Sequence, residues 1–181
     1  MNPVKKSILW VPLIAPLMAA FLGTVYAQPL LAPTPPMGWN SWDSFGTTVT
    51  EDEVRANANY MAKNLKAHGW QYIVVDIQWS EPNPKTHGYR PNAELAMDDY
   101  GRLIPALNRF PSSANGKGFK PLADYIHSLG LKFGIHIMRG IPRRAVDADL
   151  PIFNSKFKAA AVQAGSCCPR NPCTAKCAGT W

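Results

Sequence analysis

The body of this chain contains no cysteine. All four cysteines, Cys167, Cys168, Cys173 and Cys177, lie in the last 15 of the 181 residues. The core therefore needs no disulfide. The spacing C-C-x4-C-x3-C also suits a zinc ion poorly, because adjacent cysteines cannot easily share one tetrahedral centre, and no metal site is expected. Clustered positive charge is missing too: no basic run exceeds two residues. The formal charge is +7, and without Lys5, Lys6, Arg170 and Lys176 it falls to +3. A pI near 9.4 thus comes without the patch that nucleic acid would require, and no nucleic-acid partner is expected. No apolar run reaches the roughly 20 residues that span a bilayer, so no stable membrane anchor is expected. There is no glycine-rich phosphate loop, no His-Glu-x-x-His and no Gly-x-Ser-x-Gly, and no cofactor is expected.

What is present is globular in composition, 46% hydrophobic and 17% charged. The first 27 residues read as a secretory signal. Lys5 and Lys6 form a positive start, Ile8 to Gly23 is apolar and uncharged, and Val25-Tyr26-Ala27 offers a cleavage site. A transmembrane anchor is the competing reading, but Pro12 and Pro16 interrupt only sixteen apolar residues. The expected localisation is therefore export, periplasmic or extracellular.

Residues 28–36 read as an extended lead-in, and Met37 to Trp42 as a short buried strand. The clearest helix follows. Thr50 can cap it, Glu53 sits three residues on, and Glu51 and Asp52 fill the first turn. Val54, Ala58, Met61 and Leu65 share one face, and Gly69 can close the helix in a left-handed conformation. Tyr72-Ile73-Val74-Val75-Asp76 is apolar without alternation, which suits a strand buried on both faces of a parallel sheet. The loop 77–117 is too long for a routine connection and is expected to be functional. A second helix is expected over Phe119 to Leu129, with Gly130 closing it, and a third strand over Leu131 to Met138. The order strand, helix, strand, helix, strand predicts right-handed crossovers in a parallel sheet.

Several residues could carry chemistry. Asp76 ends a buried strand, where a parallel sheet opens to ligand. It could accept hydrogen bonds from sugar hydroxyls, act as an acid or base, or merely cap the next loop. Trp39, Trp42 and Trp79 are apolar plates with one N–H each; core burial and stacking under a sugar ring are both open to them. His136 lies in the third strand, as a structural residue or a pocket residue. Arg139, just beyond, could contact a ligand, pair with Asp76 or be solvated. His68 and His127 fall near helix ends and are expected to do no chemistry. Glu81, His87, Asp98 and Asp99 lie in the long loop without an identifiable partner.

Pro35-Pro36-Met37-Gly38-Trp39-Asn40-Ser41-Trp42 resembles the opening of the melibiase-type α-galactosidases, glycoside hydrolase family 27. The resemblance continues through His68-Gly69-Trp70-Gln71-Tyr72-Ile73, Val75-Asp76-Ile77-Gln78-Trp79, Gly101-Arg102-Leu103, Arg109-Phe110-Pro111-Ser112 and the stretch from Leu122 to Ile135. It covers residues 33 to about 155, in order. It implies an α/β fold, the first three or so βα units of a (β/α)8 TIM barrel, with a retaining mechanism that uses two carboxylates about 5–5.5 Å apart. It implies a carbohydrate substrate, a terminal α-galactoside or a related pyranoside. The resemblance implies that Trp39 lines the sugar site, Asp76 holds sugar hydroxyls, Trp79 supports the pocket and His136 belongs to it; with Arg139, read from its place past the strand, these are the substrate-binding candidates. Two positions depart from the pattern. Ile77 stands where the family often has a second acid, which removes a hydroxyl acceptor, and His136 stands where many members carry Tyr.

The nucleophile of such enzymes is an Asp in a Lys-x-Asp context, and no Lys-x-Asp occurs here. No catalytic residue is therefore assigned, and the chain is expected to be inactive alone; a non-catalytic carbohydrate-binding fragment or module is the alternative. A full barrel takes about 250 residues, so residues 28–165 read as a partial barrel and 166–181 as a cysteine-rich tail. Cys168-Pro169-Arg170-Asn171-Pro172 still resembles a Cys-Pro-Trp-Asn segment of the related subgroup; after Pro172 the resemblance stops, where a shifted reading frame permits the Met-Tyr-Gly that the family places next. On this reading the tail is frameshifted, and Cys173 and Cys177 are accidental.

Overall fold

The fold was analysed in a computed structural model that describes residues 34–85, 88, 90, 92–138 and 140–162. Contacts divide the chain into two units at Pro35/Pro36, and the elements below belong to the second. The expected signal segment and cysteine-rich tail lie outside the described residues.

Strand β1 (Gly38–Asn40) is shorter than the Met37–Trp42 strand expected, and it is exposed to half-buried rather than buried. The reason is Asn40. Its side chain accepts from the Trp42 N–H at 2.8 Å and caps helix α1 (Ser41–Phe45). A side chain that offers this cap diverts the chain from strand into helix, so Trp42 lies on α1.

Helix α2 (Glu51–Asn64) begins with the capping box legible in the sequence. The Thr50 N–H donates to Glu53 Oε2 at 2.7 Å, and Thr50 Oγ1 receives the Glu53 N–H at 3.5 Å. Val54, Ala58 and Met61 are buried on one face. A short 3-10 turn (Lys66–His68) follows, and Gly69 turns the chain at φ 91°. Few residues other than glycine accept that value.

Strand β2 (Tyr72–Val75) lies between β1 and β3 (Lys132–Ile135), all parallel, in the order β1-β2-β3. Between β2 and β3 runs the long loop, then a 3-10 turn (Pro111–Ser113) and helix α3 (Lys120–Ser128). Gly130 closes α3 at φ 72°. The third strand ends at Ile135 rather than Met138. The His136 N–H still donates to the Val75 carbonyl at 2.9 Å, but Val75 is the last residue of β2, so the ladder has no further partner. Helices α4 (Arg143–Asp147) and α5 (Ala159–Val162) complete the described chain.

Burial along β2 alternates. Ile73 and Val75 are wholly buried against Val54, Ala58 and Met61 of α2 and Leu122 and Ile126 of α3, while Tyr72 and Val74 are half-buried. The strand is thus covered on one face only, contrary to the expectation of burial on both. Three edge-to-face rings extend this core: Phe119 stands 5.1 Å from Phe110 and 5.1 Å from Trp79. Each such buried side chain contributes roughly 1.5–3 kcal/mol through removal from water. The packed side of the sheet therefore faces the helices, and the polar strand ends are left to build a site.

Candidate functional site

The C-terminal ends of the three strands bring Asn40, Asp76 and His136 together. The register explains why. Asn40 pairs with Val74, and Val75 pairs with Ile135. One residue past the second pair, Asp76 and His136 emerge side by side. In a parallel sheet this is the end that opens to ligand.

Asp76 is 7% exposed. Its Oδ1 accepts the Ile77 N–H at 2.6 Å and lies 2.6 Å from His136 Nδ1. Its own N–H donates to Ser41 Oγ at 2.9 Å. Burial pushes the carboxyl pKa upward, but hydrogen bonds from the Ile77 N–H, the Asn40 side chain and His136 outweigh it and hold the pKa below the usual value. Asp76 is an ionised acceptor. Its charge holds a proton of His136 on Nδ1, and that side chain is 49% exposed. The pair can meet a polyhydroxyl ligand with a carboxylate and an imidazole.

Ile77, beside this acceptor, is buried. Gln78, next along, holds φ 62°. Trp79 is 5% exposed, with its Nε1–H on the His136 carbonyl at 2.9 Å. It braces the exit of β3 from within the core. Trp39 is half-buried, its ring 6.1 Å from that of Phe45 in an edge contact. Trp42 sits half-buried on α1. Arg139 and His87 lie outside the described residues. His68 and His127 are in the 3-10 turn after α2 and the last turn of α3, away from the strand ends.

Two of the loop acids without an identifiable partner in the sequence, Glu81 and Asp98, have one in the structure. Glu81 is fully buried and paired with Arg90, and Asp98 holds Arg102 at 2.6 Å. Sequence reasoning also passed over Arg109. Its guanidinium is buried, and it donates to the carbonyls of Thr47 (2.6 Å), Val49 (2.6 and 3.1 Å), Gln78 (2.9 Å) and Glu81 (2.8 Å). Burial pulls its pKa down to about 10, against the opposing pull of Glu81 and Glu53. The available signal was its place in Arg109-Phe110-Pro111-Ser112, but no spacing rule reveals which carbonyls a long side chain will reach.

Among the described residues no group of three His, Cys, Asp or Glu could hold a metal ion. A cleft of about 450 Å³ lies by the β3 edge, lined by Trp79, Tyr100, Ile135, Ile137, Met138 and Phe153 among others. Neither Asp76 nor His136 lines it.

Residues 34–145 match the Melibiase_2 family, described as alpha galactosidase A. The chain is 43% identical over 107 residues to an alpha-galactosidase of Cyamopsis tetragonoloba, covering 59% of this chain and 22% of that protein. It is 37% identical over 133 residues to alpha-galactosidase A of Cellvibrio japonicus, covering 73% of this chain and 28% of that protein. Among solved structures, a GH27 β-L-arabinopyranosidase from Geobacillus stearothermophilus in complex with arabinose is 63% identical, with a TM-score of 0.73. That match covers 77% of this chain and 33% of the other. The chain thus spans between about a fifth and a third of the length of these relatives. The structural neighbours are TIM-barrel enzymes, and the three parallel strands match the expected portion of such a barrel.

Proposed function

The chain belongs to the Melibiase_2 family of alpha-galactosidase-type glycoside hydrolases, and from that premise we propose that it carries the sugar-holding part of an exported retaining glycosidase. The substrate is a terminal α-galactoside or a pyranoside of the same shape, with a β-L-arabinopyranoside preferred. The observation that carries this reading is the Asp76–His136 pair at the strand ends, with Ile77 beside it. The pair supplies acceptors for ring hydroxyls. Ile77 supplies none, where the family often has a second acid. A β-L-arabinopyranosyl ring has the ring configuration of α-D-galactose without the hydroxymethyl group. It therefore asks for one polar partner fewer, and an apolar wall loses nothing against it. The 63% identity to the Geobacillus arabinopyranosidase supports the same choice.

The chemistry of retention needs two carboxylates about 5–5.5 Å apart. Asp76 is engaged as a hydrogen-bond acceptor and is not the nucleophile. Trp39 borders the sugar position, Trp79 supports it from behind, and Arg139 is a further candidate contact. Export rests on the character of residues 1–27.

The test pairs binding with turnover. The 181-residue chain should bind L-arabinose more tightly than D-galactose, lose that binding in Asp76→Ala, and release no nitrophenol from nitrophenyl β-L-arabinopyranoside or α-galactoside. Ile77→Asp should shift preference toward galactose. Equal affinity for both sugars, untouched by Ile77→Asp, would refute the arabinopyranoside preference. Turnover abolished by Asp76→Ala would refute the purely sugar-holding role.

A further inference from the structure

We infer that Arg109 is a positioning residue for the sugar site, acting through the backbone of Gln78. The inference rests on the reading of Asp76 and His136 as the sugar-holding pair. Arg109 touches neither of them. Its guanidinium donates five hydrogen bonds to four carbonyls in two segments: Thr47 and Val49 after α1, and Gln78 and Glu81 after β2. Gln78 is the second residue past Asp76. It holds φ 62°, which costs a non-glycine residue of order 1 kcal/mol or more unless its surroundings enforce it. The Gln78 side chain does not enforce it, since Oε1 is buried with no partner among the described residues. The enforcing contacts are on the Gln78 carbonyl, which accepts from Arg109 Nη1 at 2.9 Å and from the Glu81 N–H at 3.0 Å.

The bend sets the path of the chain from Asp76 to Trp79. At its start the Ile77 N–H donates to Asp76 Oδ1 at 2.6 Å. At its far end Trp79 holds the His136 carbonyl through its indole N–H. The segment that Arg109 pins thus joins one member of the pair to the other. Lysine could keep the charge but lacks the planar fork that meets four carbonyls at once.

The experiment compares the 181-residue wild type with Arg109→Lys, Gln78→Val and the double variant Arg109→Lys/Gln78→Gly. One readout is L-arabinose affinity. The second, independent of any sugar, is the hydrogen-bonded Nδ1 proton of His136 in histidine-labelled protein. Arg109→Lys should weaken arabinose by about tenfold, or 1.4 kcal/mol, and abolish the Nδ1 signal. Gln78→Val, which leaves every donor of Arg109 in place but resists positive φ, should do the same. Adding Gln78→Gly to Arg109→Lys should restore both, because glycine takes φ 62° unaided. Loss without rescue by Gln78→Gly, or an intact Nδ1 signal in either Arg109→Lys or Gln78→Val, overturns the inference. If the wild type binds no arabinose but the Nδ1 signal follows the expected pattern, the positioning role stands and the proposed function falls.

Discussion

Asp76 Oδ1 and His136 Nδ1 stand 2.6 Å apart, across the ends of two parallel strands. Sixty residues of chain separate them. What joins them is register: Val75 pairs with Ile135, so the next residue of each strand leaves the sheet at the same edge. The pair is charge-assisted and partly buried, and such hydrogen bonds are stronger than neutral ones.

Asp76 should make the fold acid-sensitive. Its carboxyl pKa is lowered from 3.8 because the Ile77, Asn40 and His136 hydrogen bonds outweigh burial. The unfolded chain therefore binds more protons than the folded one near and below that value. The stabilising contribution is fully present above about pH 4–5, where an unfolded Asp is ionised, and is lost as pH falls through the depressed folded value. Urea midpoints for wild type and Asp76→Asn should converge as pH falls from 6 to 3. Parallel curves across that range would contradict the assignment.

Glu51, the first residue of α2, should behave alike. Its carboxyl is 4% exposed, receives the Ser112 N–H at 2.9 Å and pairs with Arg55 at 2.7 Å. Burial raises its pKa, but the Ser112 and Arg55 hydrogen bonds leave it below 4.5. Glu51→Gln should cost about 1–3 kcal/mol at pH 7, since a buried N–H loses its charged acceptor. The cost should shrink as pH falls through the depressed Glu51 value, where the wild-type carboxyl protonates too. Chemical denaturation at the two pH values checks this.

Gly38 should tolerate no side chain. A β carbon there would lie 2.4 Å from the Tyr72 carbonyl oxygen and 2.6 Å from Tyr72 Cβ, both fixed by the β1–β2 ladder. Gly38→Ala is expected to destabilise by about 1–3 kcal/mol, as forced overpacking does. Because β1 carries Asn40 to Asp76, the variant should also lose the His136 Nδ1 proton signal. A wild-type melting curve for Gly38→Ala would show that β1 is not held as described.

Phe110 is the largest wholly buried side chain, and its ring meets that of Phe119, which also contacts Trp79. Phe110→Ala should cost about 3–5 kcal/mol through lost burial and a residual cavity. A fall below 1 kcal/mol in the measured unfolding free energy would mean that this ring group is not the core.

Much of this was legible in the amino-acid order because it depends on near neighbours. Thr50 and Glu53 are three residues apart, and a capping box needs nothing more. Val54, Ala58 and Met61 show their shared face through helical spacing, and Gly69 and Gly130 mark the helix ends. The parallel sheet follows from short helix-to-strand links. Asp76 was picked out by its place at the end of an apolar strand. Trp42 was misplaced because Asn40 could continue a strand or cap a helix, and local sequence does not choose. His136 and Asp76 each carried an open choice of partner, and only pairing in space closed it. Trp79 looked like a plate for a ligand until the core claimed it.

The sequence by itself determined the elements, their order and the end of the sheet where polar groups collect. It could do so because capping, periodicity and helix-closing glycines act over a few residues. Tertiary structure alone decided that His136 grips Asp76, that Trp79 braces from behind, and that Arg109 gathers the carbonyls of Thr47, Val49, Gln78 and Glu81. Those contacts join residues about 30 to 60 positions apart. Their geometry comes from strand register and from the reach of one long side chain into a buried polar space.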